Sequence, residues 1–322
     1  MSFLDLDNLS FSYDGKKIID NFSATLKEGE IHCLLGPSGC GKSTLLHMIA
    51  GFLRPLSGQI TLNDELLFNQ NMFTPPEKRS IGVIFQEHCL FSHMTINENI
   101  KYGINDSFSK REKHSLVMEM LKLVDLESKS EMFPNELSGG EQQRIAIART
   151  FANSPKLILM DEPFSGLDMV LRKKLRREIR GIFKKTGKTC ILVTHSQEEA
   201  FEFGDKVTVF SGDKNHYQTG EMINLLQSPS SIDIGQFLDR GIFYIKDNHK
   251  FIPYSLLEFS LNKGKVKATV ENIYSSMDGD VYEFSSQDVY SHKFDLNSSL
   301  IQRDIIQHPL ELNIRDELFL NF

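Results

Sequence analysis

The sequence predicts an α/β fold with a parallel sheet covered by helices on both faces, followed by a smaller β-rich domain. Short apolar runs alternate with helix-like segments through the first two thirds of the chain, which is typical of a parallel sheet. After about Gly220 the pattern changes to strand-like alternation. The length of 322 residues also suits about two domains.

The elements of the predicted sheet follow one another in order. Glu30–Leu35 is a short apolar run that ends in a glycine-rich loop, and Lys42–Gly51 then has the pattern of a helix. Lys156–Met160 and Thr189–Thr194 are further apolar runs of strand length, each preceded by a helix-like segment. Apolar runs of this kind predict strands that are buried on both faces.

A mostly helical insertion is predicted between these strands, over about residues 91–151. Within it, Ser109–Leu126 has helical spacing of its apolar residues. The positions that carry this spacing are Leu116, Val117, Met120, Leu121 and Val124.

The smaller domain is predicted over residues 231–322, after a first domain of residues 1–230. Two short helices separated by a Ser-Pro break lead into it, and alternation of period two begins at Lys265. An Asp-Gly pair between two alternating runs favours a hairpin. Residues 231–322 carry a net charge of −5, most of the chain's −7.

Composition excludes several classes of protein. A net charge of −7 disfavours a protein that coats nucleic acid. The four cysteines form no CxxC pair, which disfavours a zinc knuckle or a disulfide framework and favours a reducing cytosol. No apolar run approaches the roughly 18 residues of a membrane span, and the acidic start MSFLDLDNLS is unlike a signal peptide.

A phosphate-binding loop is predicted between the first apolar strand and its helix, where the sequence fits GxxxxGK[ST]. Its glycines let backbone N–H groups surround phosphates closely. Lys42 adds a positive charge, and the Ser43 hydroxyl is a ligand for Mg²⁺. The loop comprises Gly36, Pro37, Ser38, Gly39, Cys40, Gly41, Lys42, Ser43 and Thr44.

Two carboxylates follow the strand Leu157–Met160. In a protein with a phosphate-binding loop, an aspartate at a strand end holds Mg²⁺, and this predicts that role for Asp161. Glu162 comes next and is positioned to act as a general base on an attacking water.

A second anion-binding element is predicted at Ser138, Gly139 and Gly140. Ser138 is a good N-cap for the helix-like run that follows, and the glycines leave the first N–H groups uncovered. A helix N-terminus of this kind favours an anion.

LSGGEQQR, together with the phosphate-binding loop and LILMDEP, resembles the ATPase subunit of an ATP-binding-cassette (ABC) transporter. The resemblance implies that Tyr13 stacks on adenine, that Gln86 senses Mg²⁺ and the membrane partner, and that His195 touches the γ-phosphate. Ser165–Asp168 matches the dimer-contact loop, although alanine is commoner at the second position. Ser196 stands where the family usually has aspartate.

The resemblance covers about residues 3–225 and implies an ATPase that needs ATP and Mg²⁺. Two copies would face each other head to tail as a homodimer, with Asp168 at the dimer contact. ATP on the Lys42 loop of one copy would be closed over by Ser138 of the other. The groove around Gln86 would receive an integral-membrane permease at the cytoplasmic face of the inner membrane.

The cargo is implied only by kinship. Thr74–Gly103 resembles importers of sugars, polyamines, sulfate and ferric iron, which also carry a small OB- or TOBE-like regulatory domain and work indirectly with a solute-binding protein. The passage YQTGEMINLLQSPSSIDIGQFLDRGIFY resembles the ferric-iron branch most, so ferric iron is expected, with polyamine, thiamine, sulfate or sugar as alternatives. A non-transport ABC ATPase is a remote alternative. Whether the smaller domain binds a ligand, a regulator or the partner chain stays open.

Overall fold

The computed structural model divides the chain into two units, Met1–Met222 and Ile223–Phe322. None of the helices in the described part has the length and apolar composition that crossing a membrane requires. The described residues are 2–87, 89–211, 217–238, 241–244, 250–253, 258–260, 266–276, 279–285, 293–297 and 317–321.

The first unit alternates strands and helices. Its strands are β1 (Leu4–Tyr13), β2 (Lys16–Leu26), β3 (Ile31–Leu35), β4 (Ser57–Leu62), β5 (Glu65–Phe68), β6 (Ile81–Ile84), β7 (Leu157–Asp161), β8 (Thr189–Thr194), β9 (Lys206–Phe210) and β10 (Tyr217–Gly220). Its helices are α1 (Lys42–Ala50), α2 (Ile96–Tyr102), α3 (Lys110–Leu123), α4 (Gly139–Ala152), α5 (Met169–Thr186) and α6 (Gln197–Phe203).

A six-stranded sheet in the order β10-β9-β3-β8-β7-β6 forms the centre of this unit. The strands from β9 to β6 are parallel, and the predicted α/β class is confirmed. The sheet is mixed rather than wholly parallel, because β10 pairs antiparallel with β9. A strand that follows closely in sequence can pair antiparallel, whereas a parallel partner needs a long crossover.

Helices cover both faces of this sheet. On one face, α1 packs Leu45 and Ile49 against Leu159 and Ile191 of the sheet. On the other face, α6 packs on β3 and β8, and its Phe203 lies edge to face with Phe183 of α5, with ring centroids 6.1 Å apart. Both arrangements follow from strands whose alternate side chains point to opposite faces.

A four-stranded antiparallel sheet, in the order β2-β1-β4-β5, was not predicted from the sequence. Its apolar side chains join those of α1 in one core. Register shifts interrupt the pairing of β1 with β2, and Asn8 within β1 has a positive φ of 48°. These irregularities break the period-two alternation by which a strand is recognised.

The insertion contains α2, α3 and α4, and the predicted helix Ser109–Leu126 is α3. The Ser109 hydroxyl accepts a hydrogen bond from Glu112 N–H, and the Glu112 carboxylate accepts one from Ser109 N–H. This reciprocal cap fixes the start of the helix one residue later than the prediction. Asp125, with a positive φ of 56°, lies beyond its end.

The second unit is described by strands in two sheets. Helices α7 (Met222–Gln227) and α8 (Ile232–Leu238) precede them. β11 (Gly241–Tyr244) pairs with β12 (Lys250–Pro253), and a five-stranded sheet has the order β13-β17-β14-β15-β16. Its strands are β13 (Glu258–Ser260), β14 (Val266–Ser276), β15 (Gly279–Ser285), β16 (Lys293–Asn297) and β17 (Glu317–Asn321). The Asp-Gly turn falls partly outside the described residues, and the assignment of residues 231–322 as a separate domain stays a prediction.

Candidate nucleotide site

The glycine-rich loop connects the end of β3 to the start of α1. Gly39 and Gly41 have positive φ values of 80° and 105°. A Cβ on Gly41 would also lie 2.7 Å from Ile19 Cδ1, and one on Gly36 would lie 2.9 Å from Phe210 O. Larger residues would therefore clash at both ends of the loop, and the glycines leave room for a close ligand.

The Lys42 side chain lies within this loop. Lys42 is only 5% exposed, and its ammonium group donates hydrogen bonds of 2.8 Å to Gly36 O and to Pro37 O. Cys40 Sγ lies 3.7 Å from the same nitrogen, and burial raises the pKa of this thiol. Ser38 is exposed. The positive charge is therefore held against the loop backbone, where phosphates would bind.

Ser43 and Asp161 meet beside the loop. The Ser43 hydroxyl donates to Asp161 Oδ1 at 3.1 Å. Burial raises the pKa of the Asp161 carboxyl, and the bond from Ser43 opposes that shift. Hydroxyl and carboxylate oxygens are the ligands that Mg²⁺ prefers, so this pair fits the ion.

Two further predicted site residues lie on or beside the same elements. Gln86 is exposed just beyond the end of β6, the strand next to β7. Thr44 follows Ser43 in α1 and is partly buried.

Glu162 and His195 face each other beyond the ends of β7 and β8. His195 Nδ1 lies 3.3 Å from Glu162 Oε1, and their side chains are 59% and 25% exposed. Glu162 has a positive φ of 44°. Its N–H donates to Val193 O, and its carbonyl accepts hydrogen bonds from the Ser165 N–H and hydroxyl. The fold thus holds a solvent-accessible carboxylate beside an imidazole.

Residues next to His195 fix its backbone. The Thr194 hydroxyl donates to the buried Glu199 carboxylate and accepts from Ser196 N–H at 3.0 Å. The Ser196 hydroxyl accepts from Glu199 N–H and caps α6. Ser196 therefore supplies the cap oxygen at the position where the family usually has aspartate.

Tyr13 lies at the end of β1 and is 48% exposed. Its ring packs edge to face on Phe11 with centroids 4.8 Å apart. Tyr13 pairs with Lys16 of β2, the strand whose Ile19 lies against Gly41. Tyr13 is therefore about half exposed on the strand pair that contacts the loop at Gly41.

The second predicted anion element is the start of α4. Ser138 is its exposed N-cap, and Gly140 is buried. A Cβ on Gly139 would lie 3.2 Å from Leu167 Cδ2, so the Ser165–Asp168 loop packs beside this helix start. Asp168 itself caps α5, because its Oδ1 accepts from Leu171 N–H at 3.0 Å.

Residues 19–165 match the family described as ABC transporter. A spermidine/putrescine import ATP-binding protein PotA of Spiroplasma citri is 40% identical over 258 residues, which are 77% of this chain and 71% of that protein. The chain belongs to the ABC transporter family. Its predicted resemblance to the ATP-binding subunits of importers is confirmed.

Other family members resemble the chain over similar lengths. The putrescine transport ATP-binding protein PotG of Escherichia coli (strain K12) is 42% identical over 236 residues, 73% of this chain and 61% of PotG. The chain thus spans about three fifths of that relative. The Fe(3+) ions import ATP-binding protein FbpC 2 of Haemophilus influenzae is 37% identical over 240 residues, 74% of this chain and 67% of that protein.

Among solved structures, cbiO1 from Clostridium perfringens, described as part of the ABC transporter complex cbiONQ, has a TM-score of 0.64. It is 27% identical, and the match covers 70% of this chain and 90% of cbiO1. The relatives correct one expectation from the sequence. Ferric iron is not favoured over polyamine, because the relatives named for putrescine or spermidine transport are at least as similar in sequence to this chain as the relative named for Fe(3+).

Two groups near the ABC motifs were missed by sequence reasoning. Arg79 is buried and donates from Nη1 to Met48 O and Ile49 O, both at 2.8 Å, at the end of α1. No local pattern marks such a residue. Glu141 contacts Ser138, and the S-x-x-E capping pattern in SGGE could have indicated that contact.

Proposed function

We propose that the chain is the ATP-hydrolysing subunit of an ABC importer. One observation carries this proposal: three adjacent parallel strands, β3, β8 and β7, end at the same edge of the sheet. The first leads into the phosphate-binding loop, the second into His195, and the third into Asp161 and Glu162. Ligands of parallel sheets bind outside the carboxyl ends of the strands.

The side chains at this edge suit MgATP. Lys42 and the loop N–H groups would hold the phosphates, and Tyr13 would stack on adenine. Ser43, Asp161 and Gln86 would hold Mg²⁺, which when bound neutralises charge on the phosphates.

Glu162 would accept a proton from the attacking water, because its carboxylate is accessible and lies at the end of the strand. His195, 3.3 Å away, would orient that carboxylate and contact the γ-phosphate. A positioned base of this kind typically contributes about 10²–10⁴-fold to a rate.

The second element would act in trans. A homodimer arranged head to tail would bring Ser138, Gly139 and Gly140 of one copy to the ATP on the other, with Asp168 near the contact. Opening and closing would drive integral-membrane permease subunits at the cytoplasmic face of the inner membrane, supplied by a solute-binding protein. Residues 231–322 would form the regulatory domain. Nucleic acid would not be a partner, as the net charge of −7 suggests.

The cargo would be a polyamine or ferric iron, with polyamine placed first. Putrescine and spermidine occur in the names of the PotG and PotA relatives, and Fe(3+) in that of FbpC 2. The ATPase would not touch the cargo, so no residue of the described site selects between them.

The mechanism is tested by Glu162→Gln, which removes the base but keeps the side-chain size. We expect kcat for MgATP to fall about 10²–10⁴-fold, while the variant binds ATP and accumulates as an ATP-bound dimer. Glu65→Gln is the matched control, because Glu65 is an exposed partner of Lys156 at 3.2 Å, and its kcat should not change. Normal hydrolysis by the Glu162 variant would refute the assignment.

The cargo is tested by uptake of labelled putrescine, spermidine and ferric iron in cells that carry Lys42→Ala in place of the natural protein. Loss of polyamine uptake alone would support the first choice, and loss of iron uptake alone would replace it with iron. If all uptake continues although the purified variant hydrolyses no ATP, the transport proposal is wrong.

A further inference from the structure

A carboxylate lies directly on the residue that caps α4. Glu141 Oε2 accepts hydrogen bonds from Ser138 N–H and from the Ser138 hydroxyl, both at 3.0 Å. The Ser138 hydroxyl oxygen in turn accepts from Glu141 N–H at 3.4 Å. Among the described residues, the hydrogen bonds that orient the Ser138 hydroxyl are therefore those with Glu141.

The other carboxylate oxygen of Glu141 is bound by Lys129. Lys129 Nζ donates to Glu141 Oε1, and the two side chains are 30% and 19% exposed. Lys129 is the last residue of a short 3₁₀ turn and lies twelve residues before Glu141 in the sequence. The ion pair therefore ties this turn to the start of α4. The pKa of Glu141 is lowered to about 2, chiefly by this bond, so the carboxylate is charged at neutral pH.

An anionic Glu141 opposes the role of this helix start. In the proposed function, Ser138 and the glycines after it meet a phosphate of the other copy. A phosphate in contact with Ser138 would lie close to a full negative charge, and at such distances like charges repel strongly in partly buried surroundings. Lys129 makes the Glu141 group neutral overall, so the helix N-terminus can still favour the anion.

We infer that Lys129 is a positioning residue for ATP binding in trans, acting through Glu141 on Ser138. Its ammonium neutralises and anchors the carboxylate that orients the Ser138 hydroxyl. This inference rests on the proposed head-to-tail dimer. It assigns no catalytic role to Lys129, which touches neither the phosphate-binding loop nor the reacting atoms.

The test measures the MgATP concentration that gives half-maximal dimer, by sedimentation of the full chain in the Glu162→Gln background. Lys129→Met should raise that concentration about tenfold, equivalent to about 1.4 kcal/mol. Glu141→Gln should remove the need for Lys129, because an amide carries no charge and its oxygen still accepts the Ser138 N–H. The double variant should therefore dimerise like Glu141→Gln alone.

The matched control is Lys113→Met, which removes another ion-paired lysine from the insertion. Lys113 binds the exposed Asp106 at 2.7 Å, and its loss should not alter dimerisation. Binding of MgATP by monomers, measured below the dimerisation range, should be equal in all variants, because Lys129 is not expected to act on the Lys42 loop of its own chain.

The outcomes separate the two proposals. If the Glu162→Gln parent forms ATP-dependent dimers and Lys129→Met matches Lys113→Met, the inference about Lys129 is wrong. The inference also fails if Glu141→Gln does not rescue Lys129→Met, since the effect would then come from packing. If the parent binds ATP but never dimerises, the proposed dimer itself is overturned, and the inference with it.

Discussion

Arg79 provides a quantitative test of how the fold supports α1, the helix that follows the glycine-rich loop. Its side chain is 1% exposed and lies against the last turn of α1, the helix that begins at Lys42. Nη1 donates to Met48 O and Ile49 O at 2.8 Å, and Nε donates to Thr74 O at 2.7 Å. The Arg79→Met substitution removes all three hydrogen bonds while filling most of the space.

The expected cost follows from these contacts. Hydrogen bonds to a charged group contribute about 1.5–3 kcal/mol each, and a cation at a helix C-terminus adds about 0.3–1 kcal/mol. The gain is offset by the burial of a charge: burial lowers the pKa of Arg79 to about 10, and Nη2 has no hydrogen-bond partner in the described part. We therefore expect Arg79→Met to destabilise the first unit by about 3 kcal/mol, because three carbonyl groups lose a charged donor while the cost of burying that charge is removed as well.

Thermal unfolding of the full chain measures this change. If the proposed function is right, added MgATP raises the transition of the first unit and so identifies it. A loss of about 3 kcal/mol lowers Tm by roughly 6–12 °C in a unit of this size. Arg54→Met is the matched control, because Arg54 is exposed and lies over the same Phe73 ring as Arg79, at 5.7 Å against 5.0 Å. The reasoning is refuted if the two variants lower Tm equally.

Two further predictions concern Gly51, which lies beside Arg79, and Glu141, which contacts Ser138. Gly51→Ala should lower the free energy of unfolding by about 2 kcal/mol or more. Gly51 has a φ of 88°, and an added Cβ would lie 2.5 Å from Arg79 Nε. An unchanged midpoint of denaturant unfolding would contradict this prediction. The lowered pKa of Glu141, about 2, means that its ionised form stabilises the fold above about pH 4.5 and that this contribution is lost as pH falls towards 2. Between those pH values Glu141→Gln should flatten the stability curve by about 1 kcal/mol, a value reduced for solvent screening, and a curve parallel to that of the unaltered chain would refute it.

The parts of the fold that the sequence predicted are those with a strong local signal. Thr189–Thr194 is wholly apolar or β-branched apart from Cys190, and β8 has the predicted bounds. The four-stranded antiparallel sheet escaped prediction, because Asp7 and Asn8 interrupt the alternation of β1 and the register shifts there. Such a strand is specified by its partners rather than by its own sequence.

The site divides in the same way. The positions of the glycine-rich loop after β3 and of the two carboxylates at the end of β7 could be predicted, because each motif lies in consecutive residues; their roles stay predictions. Contacts between residues that are far apart in the sequence could not be predicted. Arg79 reaches α1 across about thirty positions of sequence, and Lys129 reaches Glu141 from a separate turn. Neither partner could be inferred without the packing that brings them together.

Under the proposed mechanism, the backbone of Glu162 sets stability against activity at a single position. Its φ of 44° lies in the left-handed region, which glycine and asparagine tolerate better than glutamate. Glycine or asparagine there would relieve strain but remove the proposed base. Engineering for heat resistance that selects on melting temperature alone would therefore favour an inactive protein, and this residue has to be held constant in any such library.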